Sequence, residues 1–302
     1  MLFRKIALAA AGILMAAGIA AGADDNRGTI GEILSAKRVV LMNDLSSAPW
    51  QFRDAAGNAA GFSIDLDRMI AARLGVDLHL INTEWAGLIP GLLSRKTDFV
   101  ASSMSTTFKR AQQVLFTNGT WYKTGVVAIV KPDIGVTSWE DLNKPDRTIA
   151  IKAGTSGVDV AKQFFPDAKI QSYPSDIDLY QVLKGGRVDA ALNDLAALNA
   201  IKDSYGFDTL KEPRELISTD TWAFAVRPGD VYTWQYLDFF LTKIHESGEL
   251  DALYKYWVTG EQWQADFMKK NDGVSQQRKD LVNLLGIQDY TAETGGTRMT
   301  LE

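Results

Sequence analysis

The chain has 302 residues, of which 46% are hydrophobic and 23% charged, and its formal net charge is −5. That composition is globular, with room for two domains of ordinary size. With no cysteine and only two histidines, His79 and His245, it excludes disulfides, thiolate metal sites and a cysteine nucleophile, argues against a histidine metal site or a serine–histidine triad, and offers no basic stretch dense enough for a nucleic-acid groove.

The N-terminus reads as a targeting signal. Arg4 and Lys5 precede an apolar run over residues 6–20, and Ala21-Gly22-Ala23 fits an A-x-A cleavage site. The run is shorter than the roughly 20 residues a spanning helix needs. The expectation is a cleaved signal peptide over residues 1–23 and a periplasmic mature chain beginning near Asp24. Nothing after it is apolar for long enough to span a bilayer.

Residues 39–42 predict a short buried strand and 43–49 a loop. A helix follows over 63–74, with Ser63 as its cap, Asp65 and Asp67 at its positive end, and Gly75 ending it. Residues 78–81 form the next strand, whose His79 reads as structural. A second helix spans 86–94, with Pro90 in its first turn. Residues 98–101 predict a strand that runs into five hydroxyls: Ser102, Ser103, Ser105, Thr106 and Thr107. Thr106 and Thr107 read as a helix cap, and Arg110 follows a turn later.

After Lys131-Pro132 the pattern restarts. Strands over 148–151, 170–173 and 188–192 alternate with helices over 158–165 and 176–184. Such alternation indicates a mostly parallel sheet covered on both faces. A late strand over 222–226 precedes helices over about 232–245 and 249–257. From about 271 the chain turns polar, apart from an amphipathic segment around Leu281, Val282, Leu284 and Leu285. The closing Leu301-Glu302 could be an appended scar.

One echo joins the halves. "LLSRKTDFVASS" and "VLKGGRVDAALND" share a plan: a helix ends, a basic turn follows, and an Asp opens a strand that runs into polar residues. Ligands in open α/β sheets bind beyond the carboxyl ends of strands, so two such lobes would face their polar strand ends towards each other. The groups there suit a zwitterion. Arg110 with Ser103 and Ser105, and the Gly154-Thr155-Ser156-Gly157 turn, could hold a carboxylate. Asp194 could hold an ammonium, supported by Asp44. The turn is neither a Walker loop nor a dinucleotide fingerprint, and no cofactor is expected.

With "APWQF", "GFSIDLDRMIAARLG", "WAGLIPGLLSRKTDFVASSMSTTFKRAQQVLFT", "IAIKAGTSG", "GRVDAALND" and "SGELDALYKYW", the chain resembles the periplasmic solute-binding proteins of the polar amino-acid class (family 3), which feed ABC importers. The likeness covers residues 35–257. It implies a two-lobed α/β fold with a ligand cleft and two crossover strands (type II), the crossovers falling at 125–131 and about 219–226. Lobe one would take 24–128 and 223–270, and lobe two 129–222, leaving 271–302 as a C-terminal extension of unknown role. The resemblance implies a binding protein, not an enzyme, that captures an amino acid or derivative by hinge closure and delivers it to the importer's membrane subunits, most simply as a monomer. Carried over by position, Arg110 clamps the α-carboxylate beside Ser103, Ser105, Thr155 and the Ser156 N–H. Asp194 receives the α-ammonium, Asp44 lies near the first strand, and Trp85 packs over the ligand. At Ser47 many relatives carry an aromatic, and its loss favours a polar or small ligand side chain.

Two alternatives share this fold. A sensory protein would present the same ligand to a receptor. A cyclohexadienyl (prephenate or arogenate) dehydratase-like enzyme would need a general acid. In those relatives a Glu follows shortly after the lobe-two Asp, and here Ala197 stands in its place.

Overall fold

The computed structural model describes residues 27–269, 273–287 and 299–302; the expected signal peptide and its cleavage site lie outside them. The first lobe begins with α1 (Gly28–Ala36) and β1 (Arg38–Asn43). Val39 and Leu41 of β1 join the main core, while Met42 joins a second cluster with Leu88 and Leu92. This is the alternation a pleated strand imposes. A small antiparallel ribbon of β2 (Ser46–Ser47), β3 (Gln51–Arg53) and β4 (Ala59–Ala60) follows.

Next comes α2 (Phe62–Leu74). Its N-cap is Gly61, not Ser63. Gly61 has a φ of 128°, and a Cβ there would lie 2.3 Å from the Trp50 carbonyl oxygen, so only glycine fits. Ser63 instead donates to Gln51 Oε1 at 3.0 Å. Asp65 and Asp67 are fully buried, because the polar side of α2 is covered by other parts of the chain. Gly75 closes the helix in the left-handed conformation, its N–H returning to Ala71 and Ala72.

β5 (Asp77–Asn82) pairs parallel with β1. A short turn of 3-10 helix, Trp85–Gly87, leads into α3 (Leu88–Leu93). The strand expected over 98–101 is reduced to single pairings, Asp98 N–H to the Val40 carbonyl and Val100 with Ala225. α4 (Phe108–Ala111) and β6 (Leu115–Phe116) complete this half.

The chain leaves the first lobe along β7 (Tyr122–Thr124) and enters β8 (Val126–Val130). The first crossover is therefore β7, earlier than the 125–131 expected. All five residues of β8 are buried because it lies inside the second lobe's sheet, with both faces covered. That sheet continues through β9 (Thr148–Lys152), α5 (Gly157–Phe164), β10 (Lys169–Tyr173), α6 (Asp176–Lys184), β11 (Ala190–Asp194), α7 (Leu195–Tyr205) and β12 (Asp208–Thr209). Its order is β10-β9-β11-β8-β12. β10, β9 and β11 run parallel, and β8 runs antiparallel to both β11 and β12. Val126, Ala128 and Val130 face one core with Ile149, Ile151 and Leu192, while Val127 and Ile129 face the other with Leu179, Leu183 and Leu198. Each of these buried Val, Ile and Leu side chains contributes about 1.5–3 kcal/mol.

β13 (Asp220–Trp222) returns antiparallel to β7, and β14 (Ala225–Val226) pairs with β6. The single late strand expected over 222–226 is thus divided between the crossover ribbon and lobe one. α8 (Val231–Glu246), α9 (Glu249–Trp257) and α10 (Gln262–Phe267) then pack on lobe one.

The residues beyond 271, for which the sequence suggested no role, supply structure to lobe one. α11 (Gln276–Leu285) buries Leu281, Val282, Leu285 and Arg278, and packs on α9. β15 (Met299–Leu301) adds a third parallel strand beside β5. Glu302 N–H donates to the Leu80 carbonyl and the Asn82 N–H to that of Glu302, at 3.0 and 2.9 Å, so the last residues pair along β5. His79 on β5 meets Thr300 there, Nδ1 to Oγ1 at 2.6 Å. Among the described residues no helix is long and apolar enough to cross a membrane.

Candidate functional site

β1, β9 and β11 all aim their carboxyl ends at the gap between the lobes, where backbone N–H groups and strand-end side chains converge. A cavity lies there. Ser47, Trp85, Ser103, Ser105, Arg110, Thr155, Ser156 and Asp194 all line it. Asp44 stands behind its wall, ion-paired with Lys152 at 2.9 Å.

The five hydroxyls after residue 101 divide by position. Ser103 and Ser105 face the cavity, Ser103 Oγ accepting from Gln51 Nε2 at 2.9 Å. Ser102 Oγ donates to Asn43 Oδ1 at 2.6 Å inside lobe one. Thr106 joins the return strand through Thr221, Oγ1 to Oγ1 at 2.9 Å. Thr107 caps α4 by accepting the N–H of Arg110 at 3.2 Å. That cap fixes the first turn of α4 and so aims the arginine.

Arg110 is buried. Its guanidinium donates to the Ser105 carbonyl at 2.8 Å and, across the cleft, to the Gly154 carbonyl at 2.9 Å. Among the described residues no carboxylate lies within ion-pair distance of it. Burial lowers its pKa to about 10, partly offset by Asp220 and Asp159, so it stays charged at neutral pH. The Trp85 indole N–H donates to the same Gly154 carbonyl at 3.2 Å. Gly154 has a φ of +76°, and a Cβ there would sit 2.9 Å from Ala86 Cα. Only glycine allows both the turn and the approach of the lobes.

Opposite, Asp194 ends β11 and caps α7, its Oδ1 accepting the Ala196 N–H at 2.9 Å and its Oδ2 the Thr124 hydroxyl of the first crossover. Burial pushes its pKa up to about 7. The Ala196 and Ala197 N–H groups oppose that rise, and the Asp220 and Asp176 carboxylates add to it. One oxygen thus serves the helix while the other meets Thr124 of β7.

Sequence reasoning passed over Lys152, Asp176, Asn193 and Asp220, which also line the cavity. Lys152 Nζ donates to Ser46 Oγ, Ser47 Oγ and Asp176 Oδ2 at 3.0, 3.1 and 3.0 Å. Ser47 Oγ also donates to Asp176, and Asn193 Nδ2 to Asp176 Oδ1 at 3.0 Å. The available signal was position: Lys152 closes the apolar run of β9 as Asp194 closes β11. Trp50, read as core, is core and also forms part of the cavity wall with Trp222, their rings edge to face at 4.6 Å.

A cavity between two lobes, with a buried guanidinium on one side and a carboxylate on the other, defines a binding protein for a small charged solute. Residues 39–260 match the family described as bacterial extracellular solute-binding proteins, family 3, and the chain belongs to that family. It is 26% identical over 228 residues to the arginine-binding extracellular protein ArtP of Bacillus subtilis, covering 74% of this chain and 88% of that one. It is 28% identical over 212 residues to the ABC transporter arginine-binding protein 1 of Escherichia coli, covering 69% and 86%. Among solved structures, the ancestral amino acid-binding protein AncCDT-1, a precursor of cyclohexadienyl dehydratase, superposes with a TM-score of 0.71 at 31% identity, covering 76% of this chain and 99% of that one. A mutant of ArgBP from T. maritima gives 0.71 at 30%, covering 77% and 100%.

Proposed function

We propose that this protein captures a free amino acid, or a derivative keeping both α-groups, by hinge closure, and delivers it to the membrane subunits of an ABC importer. The observation that carries the reading is the pairing, in one cavity, of the buried Arg110 guanidinium with Asp194. Arg110, Ser103, Ser105, Thr155 and the Ser156 N–H take the carboxylate. Asp194 takes the ammonium, and Trp85 covers the ligand. The small hydroxyl at Ser47 favours a polar or small side chain. Hinge motion is assigned to β7 and β13, the lobes dividing near 125 and 222. The mature chain acts as an exported monomer, cut near Ala23. A dehydratase reading is disfavoured because Ala197 offers the cavity wall a methyl group where a general acid would be needed.

A thermal-shift screen of the mature protein against amino acids tests this. A ligand that binds only the folded state adds about 4 kcal/mol of stability at a thousandfold excess over Kd, so one or a few α-amino acids should raise Tm strongly. A folded, ligand-free sample that responds to none of them would refute the reading. Failure of high-affinity uptake in a deletion strain is the outcome expected of transport; intact uptake would favour ligand presentation to a receptor.

Asp194 makes binding pH-dependent. An ammonium needs the carboxylate form, and the ligand-free protein holds that proton up to about pH 7. Binding therefore expels the proton and is favoured as pH rises. Affinity should be full above neutrality and fall below it by up to about tenfold per pH unit. Calorimetry in buffers of differing ionisation enthalpy should detect proton release on the acid side. Asp194→Asn should bind weakly with the slope gone; a wild-type Kd that is flat across neutrality would remove Asp194 from the ammonium subsite.

A further inference from the structure

We infer that Gln51 and Asn43 are positioning residues of the carboxylate pocket, two buried amides through which α2 sets the direction of the successive hydroxyls Ser102 and Ser103. The inference rests on the amino-acid reading above and concerns residues behind the cavity wall.

Ser63 and Asp67 lie four residues apart on α2, so they share one face of the helix. The first turn of α2 is tied to the neighbouring ribbon, where the Phe62 and Ser63 N–H groups donate to the Pro49 and Trp50 carbonyls at 3.0 and 2.8 Å. Each of the two side chains meets an amide. Ser63 Oγ donates to Gln51 Oε1 at 3.0 Å, and Gln51 Nε2 donates on to Ser103 Oγ at 2.9 Å. Asp67 Oδ2 accepts from Asn43 Nδ2 at 3.1 Å, and Asn43 Oδ1 accepts from Ser102 Oγ at 2.6 Å. Ser63, Asp67, Gln51 and Ser102 are 0% exposed and Asn43 is 1% exposed. Both amides are thus held at each end by protein groups, away from solvent.

The two relays run in opposite senses, and that decides what each serine offers. A serine hydroxyl has one proton to give and rotates to suit its neighbours. Ser102 gives its proton to Asn43 and so turns inward. Ser103 accepts the Gln51 N–H, which leaves its own O–H free to donate, and it lines the cavity. A carboxylate only accepts, so a serine turned this way is ready for one before it arrives. Such pre-organisation raises affinity by removing ordering that binding would otherwise impose. Asp67 holds the second relay. Burial pushes its carboxyl well above the usual range, against the Asn43 hydrogen bond and the Arg68 charge. An asparagine there has the same shape and still offers Asn43 an acceptor.

The experiment is calorimetric titration of the mature protein and its variants with the standard free amino acids, all of which carry the same α-carboxylate. Ser103→Ala should weaken every one that binds by about tenfold or more, as loss of a hydrogen bond to a charged group does. Gln51→Met keeps the length of the side chain without the amide. It should show most of that loss, by the same factor for each amino acid, and the double variant should bind no more weakly than Ser103→Ala alone. Asp67→Leu should weaken binding in the same uniform way, and Asp67→Asn should keep wild-type affinity. If Asp67→Leu fails to fold, the Gln51–Ser103 cycle decides alone. A merely structural role would lower Tm and leave Kd unchanged. Folded Gln51→Met with a Kd within about twofold of wild type, or losses that add in the double variant, overturns the inference while leaving the amino-acid reading intact. Binding of no amino acid by folded wild-type protein overturns both.

Discussion

Arg110→Ala is expected to weaken ligand binding by about 2–5 kcal/mol, which is roughly thirtyfold to a few thousandfold in Kd. The guanidinium is buried, and its neighbours are two backbone carbonyls, Ser105 and Gly154. A carbonyl is a partial charge. A ligand carboxylate brought beside Arg110 is a full one, in a site where closure has removed water, and a planar fork can meet both of its oxygens. Truncation removes the fork and leaves that carboxylate desolvated without a counter-ion, which is the larger part of the cost. It also removes the bond that ties lobe one to the Gly154 turn of lobe two. Arg110→Lys separates the two effects. A lysine keeps the charge and one donor but cannot bridge both oxygens, so it should recover only part of the affinity. Calorimetry with the ligand identified by thermal shift measures both variants. A loss of tenfold or less for Arg110→Ala would mean that the guanidinium ties the lobes together and does not clamp the ligand.

Local signals in the sequence were sufficient where local chemistry decides the structure. The bounds of α9 at Glu249–Trp257 and α6 at Asp176–Lys184 are those expected, because Gly248 and Ser175 end the preceding chain by their own conformational and capping preferences. Elsewhere tertiary packing overrode the pattern. The apolar run of β8 reads equally well as a crossover or as a central strand, and only its partners β11 and β12 decide. Ser63 follows a plausible capping pattern, but the close approach of Gly61 to Trp50 sets the start of α2. The cleft was legible on the side of Arg110 and Asp194, because a guanidinium after a hydroxyl run and an acid at a strand end are unusual in sequence. The Lys152–Asp176 side was not. A lysine at a strand end and an aspartate at a helix start are common solvated choices, and their meeting with Asp44 and Ser47 from the other lobe is a fact of three dimensions.

Arg278→Met is expected to lower stability by about 3–5 kcal/mol, the second large effect, and to do so without touching the cleft. Arg278 lies on α11, is 0% exposed, and donates to both oxygens of Asp65 on α2, at 2.5 and 2.8 Å. Asp65 also accepts from the Trp257 indole at 2.8 Å. The guanidinium carbon lies 5.3–5.7 Å from the rings of Tyr256, Trp257 and Phe267, a cation–π setting that adds to the ion pair. The methionine fills similar volume but leaves the buried Asp65 carboxylate with only the more distant Arg68 guanidinium, at 3.8 Å, and the Trp257 indole N–H. A dry site penalises a poorly paired charge more than it rewards a good pair, so the double variant Arg278→Met with Asp65→Asn should recover part of the loss. Urea denaturation of the two single variants and the double measures the coupling. Ligand affinity of the folded variants, measured well below their melting range, should match wild type, because the pair joins α11 to α2 on the body of lobe one, away from the residues that line the cavity. A loss below about 1 kcal/mol for Arg278→Met, the range of an exposed ion pair, would show that water reaches Asp65 once the arginine is gone, and that the C-terminal helix is held by Leu281, Val282 and Leu285 instead.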